Sequence, residues 1–202
     1  MRTIPPSKYP DIEKKYEAGA TMASIAQDFN VSLNAVTYAM RKAAIPRRTM
    51  KQARNLRFDQ QLPSFQVRTL KNESELIVAS VGISLYWAEG SKSPNARVLD
   101  FANSDPAMIA YFMKFLHTCY KLEPKRFRVL LYCYANQNTK TLIQFWSKLT
   151  NIPANQFTKP YIRHDYREHG RRMEYGLVHI RYADKKLLCD ILERIKRLKG
   201  TV

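Results

Sequence analysis

Apolar positions recur at helical spacing in three short stretches near the start of the chain. Ile12, Tyr16 and Ala20 form the first set, opened by Pro10-Asp11 and closed near Gly19. Met22, Ile25, Ala26 and Phe29 form the second, with Thr21 as its N-cap. After an Asn30-Val31 turn, Ser32 caps a third helix whose inward positions are Leu33, Val36 and Met40. A longer pattern follows. Asn72-x-x-Glu75 reads as a capping box, opening an apolar helix that runs to Glu89-Gly90, where the glycine is expected to end it in the αL conformation. Arg97–Asn103 alternates as a strand. Ser104-Asp105-Pro106 starts a helix carrying Met108, Ile109, Phe112, Phe115, Leu116 and Cys119. Phe127–Tyr134 is a strand with Phe127, Val129, Leu131 and Cys133 on one face. A helix at 138–149, strands near 156–164 and 173–182, and a helix at 184–198 complete an α-β-α-β-α-β-β-α order. Trp87 and Trp146 read as core residues.

Between the two patterned parts, 49–72 is basic and weakly periodic. It reads as a linker, dividing the chain into 1–48, 49–72 and 73–202. Lys and Arg number 34 against 17 Asp and Glu, a net charge of +17, in a chain that is 45% hydrophobic. A folded protein with that excess calls for a polyanionic partner, nucleic acid first. No apolar run reaches membrane-spanning length, and the N-terminus has no apolar leader region. Cys119, Cys133 and Cys189 are widely spaced in apolar surroundings and read as buried thiols of a reducing compartment, the cytoplasm, or the nucleoid of a bacterium. No small-molecule site is evident.

The segment Thr21–Arg48 resembles the helix-turn-helix of resolvases and many small regulators. That likeness makes Ser32, Asn34, Ala35, Thr37, Tyr38, Arg41 and Lys42 of the third helix candidate contacts to duplex DNA. Short polar groups would meet base edges and cations would meet phosphates. Arg47 and Arg48 just beyond it are candidates for the backbone.

Within the apolar helix, Ser80, Ser84 and Ala88 recur every fourth residue and lie on one face, where a second helix can approach closely. Glu89 in the last turn faces the negative end of the helix dipole, at a typical cost of ~0.3–1 kcal/mol. A bound cation is one compensation. Gly82–Gly90 resembles the LAGLIDADG motif, with Leu85, Ala88 and Gly90 identical, Glu89 in the acidic position, Ser84 at the tight-packing glycine and Trp87 at the first acid. The likeness extends over 73–199. It implies an α+β chain: a three-helix DNA-binding module followed by a LAGLIDADG-like mixed α/β domain with a saddle-shaped antiparallel sheet. It also implies a homodimer packed through Ser80, Ser84 and Ala88. The expected activity is cleavage of double-stranded DNA with Mg²⁺ (or Mn²⁺) held by Glu89, and Lys92 or Lys159 is the cation nearest the chemistry. Arg97, Arg128, Arg163, Arg171, Arg172 and Arg181 become candidate groove contacts. The alternative is a transcriptional regulator in which the same parts only bind.

Overall fold

The structure, a computed structural model, describes residues 3–164 and 173–200. It is α+β and separates into two units, 1–62 and 63–202.

The first unit is built on three short helices, α1 (Tyr9–Glu17), α2 (Met22–Asp28) and α3 (Leu33–Lys42). Each start and stop has a local cause. The Thr21 hydroxyl accepts from the Ser24 amide at 3.0 Å, and Ser32 from the Ala35 amide at 3.2 Å, satisfying amides that α2 and α3 leave open. Gly19 at φ +103° ends the first turn, and Asn30 at φ 50° makes the turn between α2 and α3. Ile12, Tyr16, Ile25, Val36, Ala39 and Met40 close the small core, joined by Ile4 and Ile45. Leu33, expected inside, is 50% exposed, and Ala39 takes the inward position.

The stretch read as a linker is not a plain connection. Residues Met50–Gln60 form a helix, α4, started by a reciprocal capping box in which Thr49 and Gln52 each bond the other's backbone amide. It buries no residue, which is why its apolar stripe is faint. The second unit then begins with strand β1 (Phe65–Val67).

That unit contains helices α5 (Glu73–Glu89), α6 (Pro106–Cys119), α7 (Thr139–Thr150) and α8 (Lys185–Gly200). Its further strands are β2 (Leu99–Asn103), β3 (Tyr120–Leu122), β4 (Phe127–Tyr134), β5 (Tyr161–Arg163) and β6 (Leu177–Tyr182). A two-stranded ribbon pairs β1 with β3, and a four-stranded sheet runs β2-β6-β4-β5. The expected antiparallel sheet is in fact mixed, because β5 pairs with β4 in parallel. The chain between them crosses over through α7, and such a crossover delivers a parallel strand.

One face of the sheet is apolar except for Asn103 at the end of β2. Leu99, Phe101, Phe127, Val129, Leu131, Cys133, Val178, Ile180 and Tyr182 are buried in one core with the helices. Phe112 of α6 stacks on Phe101 at 4.0 Å and lies 5.9 Å from Tyr86 of α5. Helices α5 and α6 meet at Gly82, where a Cβ would fall 2.1 Å from Cγ of Phe115. The contact between α5 and α6 therefore uses Gly82, not the serines beside it.

Asp184, before α8, ties the ribbon to the domain. It accepts from the Lys186 amide at 2.7 Å and from the Ser64 amide and hydroxyl at 2.7 and 2.6 Å. Burial pushes its carboxyl up, but these hydrogen bonds outweigh burial and hold it below the usual carboxylate range. Trp146 is buried as expected, whereas Trp87 is 40% exposed beneath the Lys199 ammonium. Cys119 and Cys133 are buried, but Cys189 is exposed on α8. No described helix is long and apolar enough to cross a membrane.

Candidate nucleic-acid interface

Helix α3 divides its polar residues into two kinds. Ser32 serves as the N-cap, and the Thr37 hydroxyl donates to the Leu33 carbonyl at 2.9 Å, so both are engaged within the helix. Ala35 and Thr37 are half-buried. Asn34, Tyr38, Arg41 and Lys42 are exposed, with the Arg41 and Lys42 cations 5.5 and 5.7 Å from the centre of the Tyr38 ring. Both cations sit in the last turn, where they complement the negative end of the helix. The resulting face carries an amide, a phenol and two cations, with Leu33 added beside them.

Arg47 is exposed, its guanidinium 3.8 Å from Sδ of Met22. Arg48 has a different job from the one expected. Its guanidinium stacks 3.8 Å over Tyr16 and donates to the Ala20 carbonyl at 3.0 Å, while its amide donates to the Tyr16 hydroxyl. One terminal nitrogen is buried with no hydrogen-bond partner. Arg48 pins the chain after α3 onto α1 and is largely spent on the fold.

At the end of α5 the helix does stop at Gly90, but at φ −75°, ψ 149°, an extended conformation open to any residue. Glycine is needed there for another reason: a Cβ would lie 2.5 Å from the Tyr86 ring. Tyr86 is wholly buried and donates to the Ser91 carbonyl at 2.8 Å; burial pushes its hydroxyl up to about 12. Gly90 then bridges Phe101 along the free edge of β2. Glu89 is exposed. Lys92 folds back so that its ammonium donates to the carbonyls of Trp87 and Gly90, each at 2.8 Å. A cation thus already sits on the negative end of this helix. Lys159 lies beside β5, at the opposite edge of the sheet. Three strand spacings separate the edge strands β2 and β5, about 14 Å. Within one chain, Lys159 and Glu89 are not partners. Among the described residues no group of three or more carboxylates, imidazoles or thiols could hold a metal ion.

Ser80, Ser84 and Ala88 are all exposed. The Ser80 hydroxyl donates to the Leu76 carbonyl and the Ser84 hydroxyl to the Ser80 carbonyl, both at 2.9 Å. With their donors turned back onto the helix, these serines present little polarity. Leu76, Ile77, Val81 and Trp87 around them are 55%, 54%, 39% and 40% exposed. Helix α5 is therefore apolar on both sides, one in the core and one uncovered in this chain. Glu89 follows Ala88 by one residue, about 100° round the helix, so it stands beside this stripe.

The second face of the sheet is open and polar. Arg128, Arg181 and Asp100 form one row across β4, β6 and β2. Asp100 accepts from Nε of Arg181 and faces Nδ1 of His179, both at 2.8 Å. Burial pushes its carboxyl up, but those two partners hold it below the usual range. Arg128 donates to the carbonyls of Lys125 and Phe127. Further along, the rings of His179, Tyr132 and Tyr161 follow one another at 5.2 and 5.0 Å. Arg163 lies 5.6 Å from the Tyr134 ring. An open groove of about 640 Å³ borders this row, lined by Tyr132, Tyr161, Ile162, Arg163 and His164. Sequence reasoning placed the arginines here but missed the acid that holds two basic groups and the continuity of the aromatic row; only strand register reveals either. Arg97 is exposed in the loop before β2. Arg171 and Arg172 lie outside the described residues.

Comparison with protein-family models, with curated proteins and with solved structures finds no match to this chain.

Proposed function

We propose that this chain is a sequence-specific duplex-DNA-binding protein that acts as a homodimer. The observation that carries the reading is the exposed face of α3, where Asn34, Tyr38, Arg41 and Lys42 stand together on a helix capped by Ser32. An amide and a phenol can read base edges in a major groove, and cations in the last turn can hold phosphates. A net charge of +17 supports a polyanionic partner. The LAGLIDADG-like reading of the second unit accounts for the uncovered side of α5. A second copy packed on Ser80, Ser84 and Ala88 would bury Leu76, Ile77 and Val81, and two-fold symmetry would match a palindromic site.

Cleavage of the bound DNA is the second reading, favoured by the exposed carboxylate of Glu89 at the end of that helix. The residues at this helix end do not make a divalent-metal site in one chain: Glu89 stands with Lys92, whose ammonium already occupies the carbonyls. Mg²⁺ or Mn²⁺ would need a second Glu89 from a partner copy. In the proposed homodimer each Glu89 would arrive with its own Lys92 at the helix end, and on that ground binding without hydrolysis, as in a regulator, is the reading we take.

Selection of a site from random duplexes, followed by a nicking assay on the winner with Mg²⁺ and with Mn²⁺, tests both statements. Enrichment of a palindromic duplex, bound but uncut, is expected. Failure to enrich any sequence would overturn sequence-specific binding. Cutting that disappears in Glu89→Gln while affinity persists would replace the regulator by a nuclease.

A further inference from the structure

The open face of the sheet holds groups that duplex DNA has little use for. A duplex presents base edges and phosphates to a protein, with the base faces stacked away inside. Yet the middle of this face is a row of three rings, His179, Tyr132 and Tyr161, and Tyr161 is 58% exposed. Arginines flank the row at both ends: Arg128 and Arg181 on one side, Arg163 on the other. From Arg128 to Tyr134 along β4 the face measures about 20 Å, room for a few unstacked nucleotides.

The groove beside Tyr161 has the chemistry of one such nucleotide. Its volume, about 640 Å³, lies within the range of small-ligand sites. Two phenol rings line it for a base to stack on, the Arg163 guanidinium and the His164 imidazole line it for a phosphate, and among the described residues no carboxylate lines it. Aromatic rings that accept base faces, bordered by cations that follow the backbone, are the common parts of single-strand recognition. Simple self-packing of the rings accounts less well for Tyr161. It sits on the edge strand, pairs in register with Tyr132, and leaves more than half its surface uncovered.

We infer that the sheet face of the second unit is a single-stranded DNA site, with an unpaired base stacked on Tyr161 and Tyr132 and its phosphate held by Arg163. It is separate from the duplex site on α3. It rests on the proposed DNA reading only for the choice of DNA over RNA.

The test uses the full chain and fluorescein-labelled (dT)₁₂, followed by anisotropy, with a (dT)₁₂ carrying a central 2-aminopurine as the stacking probe. Loss of one stacked base should weaken binding by roughly tenfold or more in Tyr161→Ala, whereas Tyr161→Phe, which keeps the ring, should stay within about twofold. Binding should quench 2-aminopurine in the wild type and not in Tyr161→Ala. Arg163→Gln should weaken (dT)₁₂ and flatten its salt dependence. No binding of (dT)₁₂ by the wild type would overturn the inference, and so would unchanged affinity in Tyr161→Ala. A tenfold preference for (rU)₁₂ would overturn the assignment to DNA. Duplex recognition fails separately: if Arg41→Gln keeps wild-type affinity for the selected duplex, the α3 reading falls, whatever (dT)₁₂ does.

Discussion

Replacing Ser84 by leucine tests the proposed dimer by the sign of its effect. In an isolated chain the change should be nearly silent. Ser84 is exposed, its hydroxyl merely bonds the Ser80 carbonyl, and leucine is at least as good a helix former. Surface substitutions of this kind usually stay within about ±0.5 kcal/mol. The dimer is different if two α5 helices meet through their small residues. Leucine is larger than serine by two heavy atoms, and overpacking a close contact costs about 1–3 kcal/mol. A symmetric dimer carries the change on both chains, so about 2–6 kcal/mol of association free energy should be lost, if both sites lie in the contact. The dimer dissociation constant should then rise by about 30-fold to more than 10⁴-fold. Sedimentation equilibrium across a concentration series reads this directly, with thermal unfolding of the dilute monomer as the control. A loose contact predicts the reverse, because leucine would then add apolar area to a face that already shows Leu76 and Ile77. Tighter or unchanged association in Ser84→Leu, or a wild type that sediments as a monomer at tens of micromolar, would refute the close-packed α5 interface.

Other substitutions separate binding from folding. Arg41→Gln should lower the slope of log affinity against log salt for the selected duplex by about one unit, measured by anisotropy, without moving the melting point. Arg48→Ala should instead destabilise the first unit by about 1–3 kcal/mol, since it removes a ring contact and a carbonyl bond; denaturant titration of 1–62 within the full chain checks it. Gly82→Ala gains about 1 kcal/mol in helix propensity, but its Cβ would strike Phe115, so net destabilisation is expected from chemical denaturation. Asp184→Ala should cost about 2–4 kcal/mol, combining a lost cap with lost bonds to Ser64. Because the folded Asp184 carboxyl lies below its ordinary value, its contribution is complete above the unfolded-state pKa of about 3.9 and fades as pH falls through the folded-state value. The wild type should therefore lose stability in acid more steeply than Asp184→Ala, as followed by circular dichroism.

What the sequence made legible was local. Caps at Thr21, Ser32 and Asn72 are where the periodic patterns place them, because a cap and the amides it serves are neighbours in the chain. The alternation of Phe127–Tyr134 separates a buried from an open face, as expected. Apart from α4, the failures share a non-local cause. Strands β1 and β3 have three residues each and exist by pairing Phe65 with Leu122, Gln66 with Lys121 and Val67 with Tyr120. Neither is patterned strongly enough to be seen alone. Arg48 looks like one more cation until Tyr16, 32 residues earlier, is found beneath it. Helix α4 hides because it buries nothing, and its only firm signal is the pair Thr49 and Gln52.

The end of α5 shows how far an electrostatic oddity can be carried. A carboxylate beside the last carbonyls of a helix asks for positive charge, and a metal is only one source of it. Lys92, three residues on, reaches back and supplies an ammonium to two of those carbonyls. The local field is thereby offset without any ion from solution, so the position of Glu89 alone no longer argues for metal chemistry. What still argues for a role is the uncovered apolar stripe next to it, since a second copy on that stripe would bring another Glu89 and another Lys92 to the same place. Two carboxylates with a bound cation would then make a nuclease. Two carboxylates each answered by its own lysine would make an ionic seam that fixes the register of the dimer. Lys92→Met separates these outcomes: it should loosen a dimer held by such a seam, and it should leave the dimer intact while improving Mg²⁺ binding if the pair is a metal site in waiting.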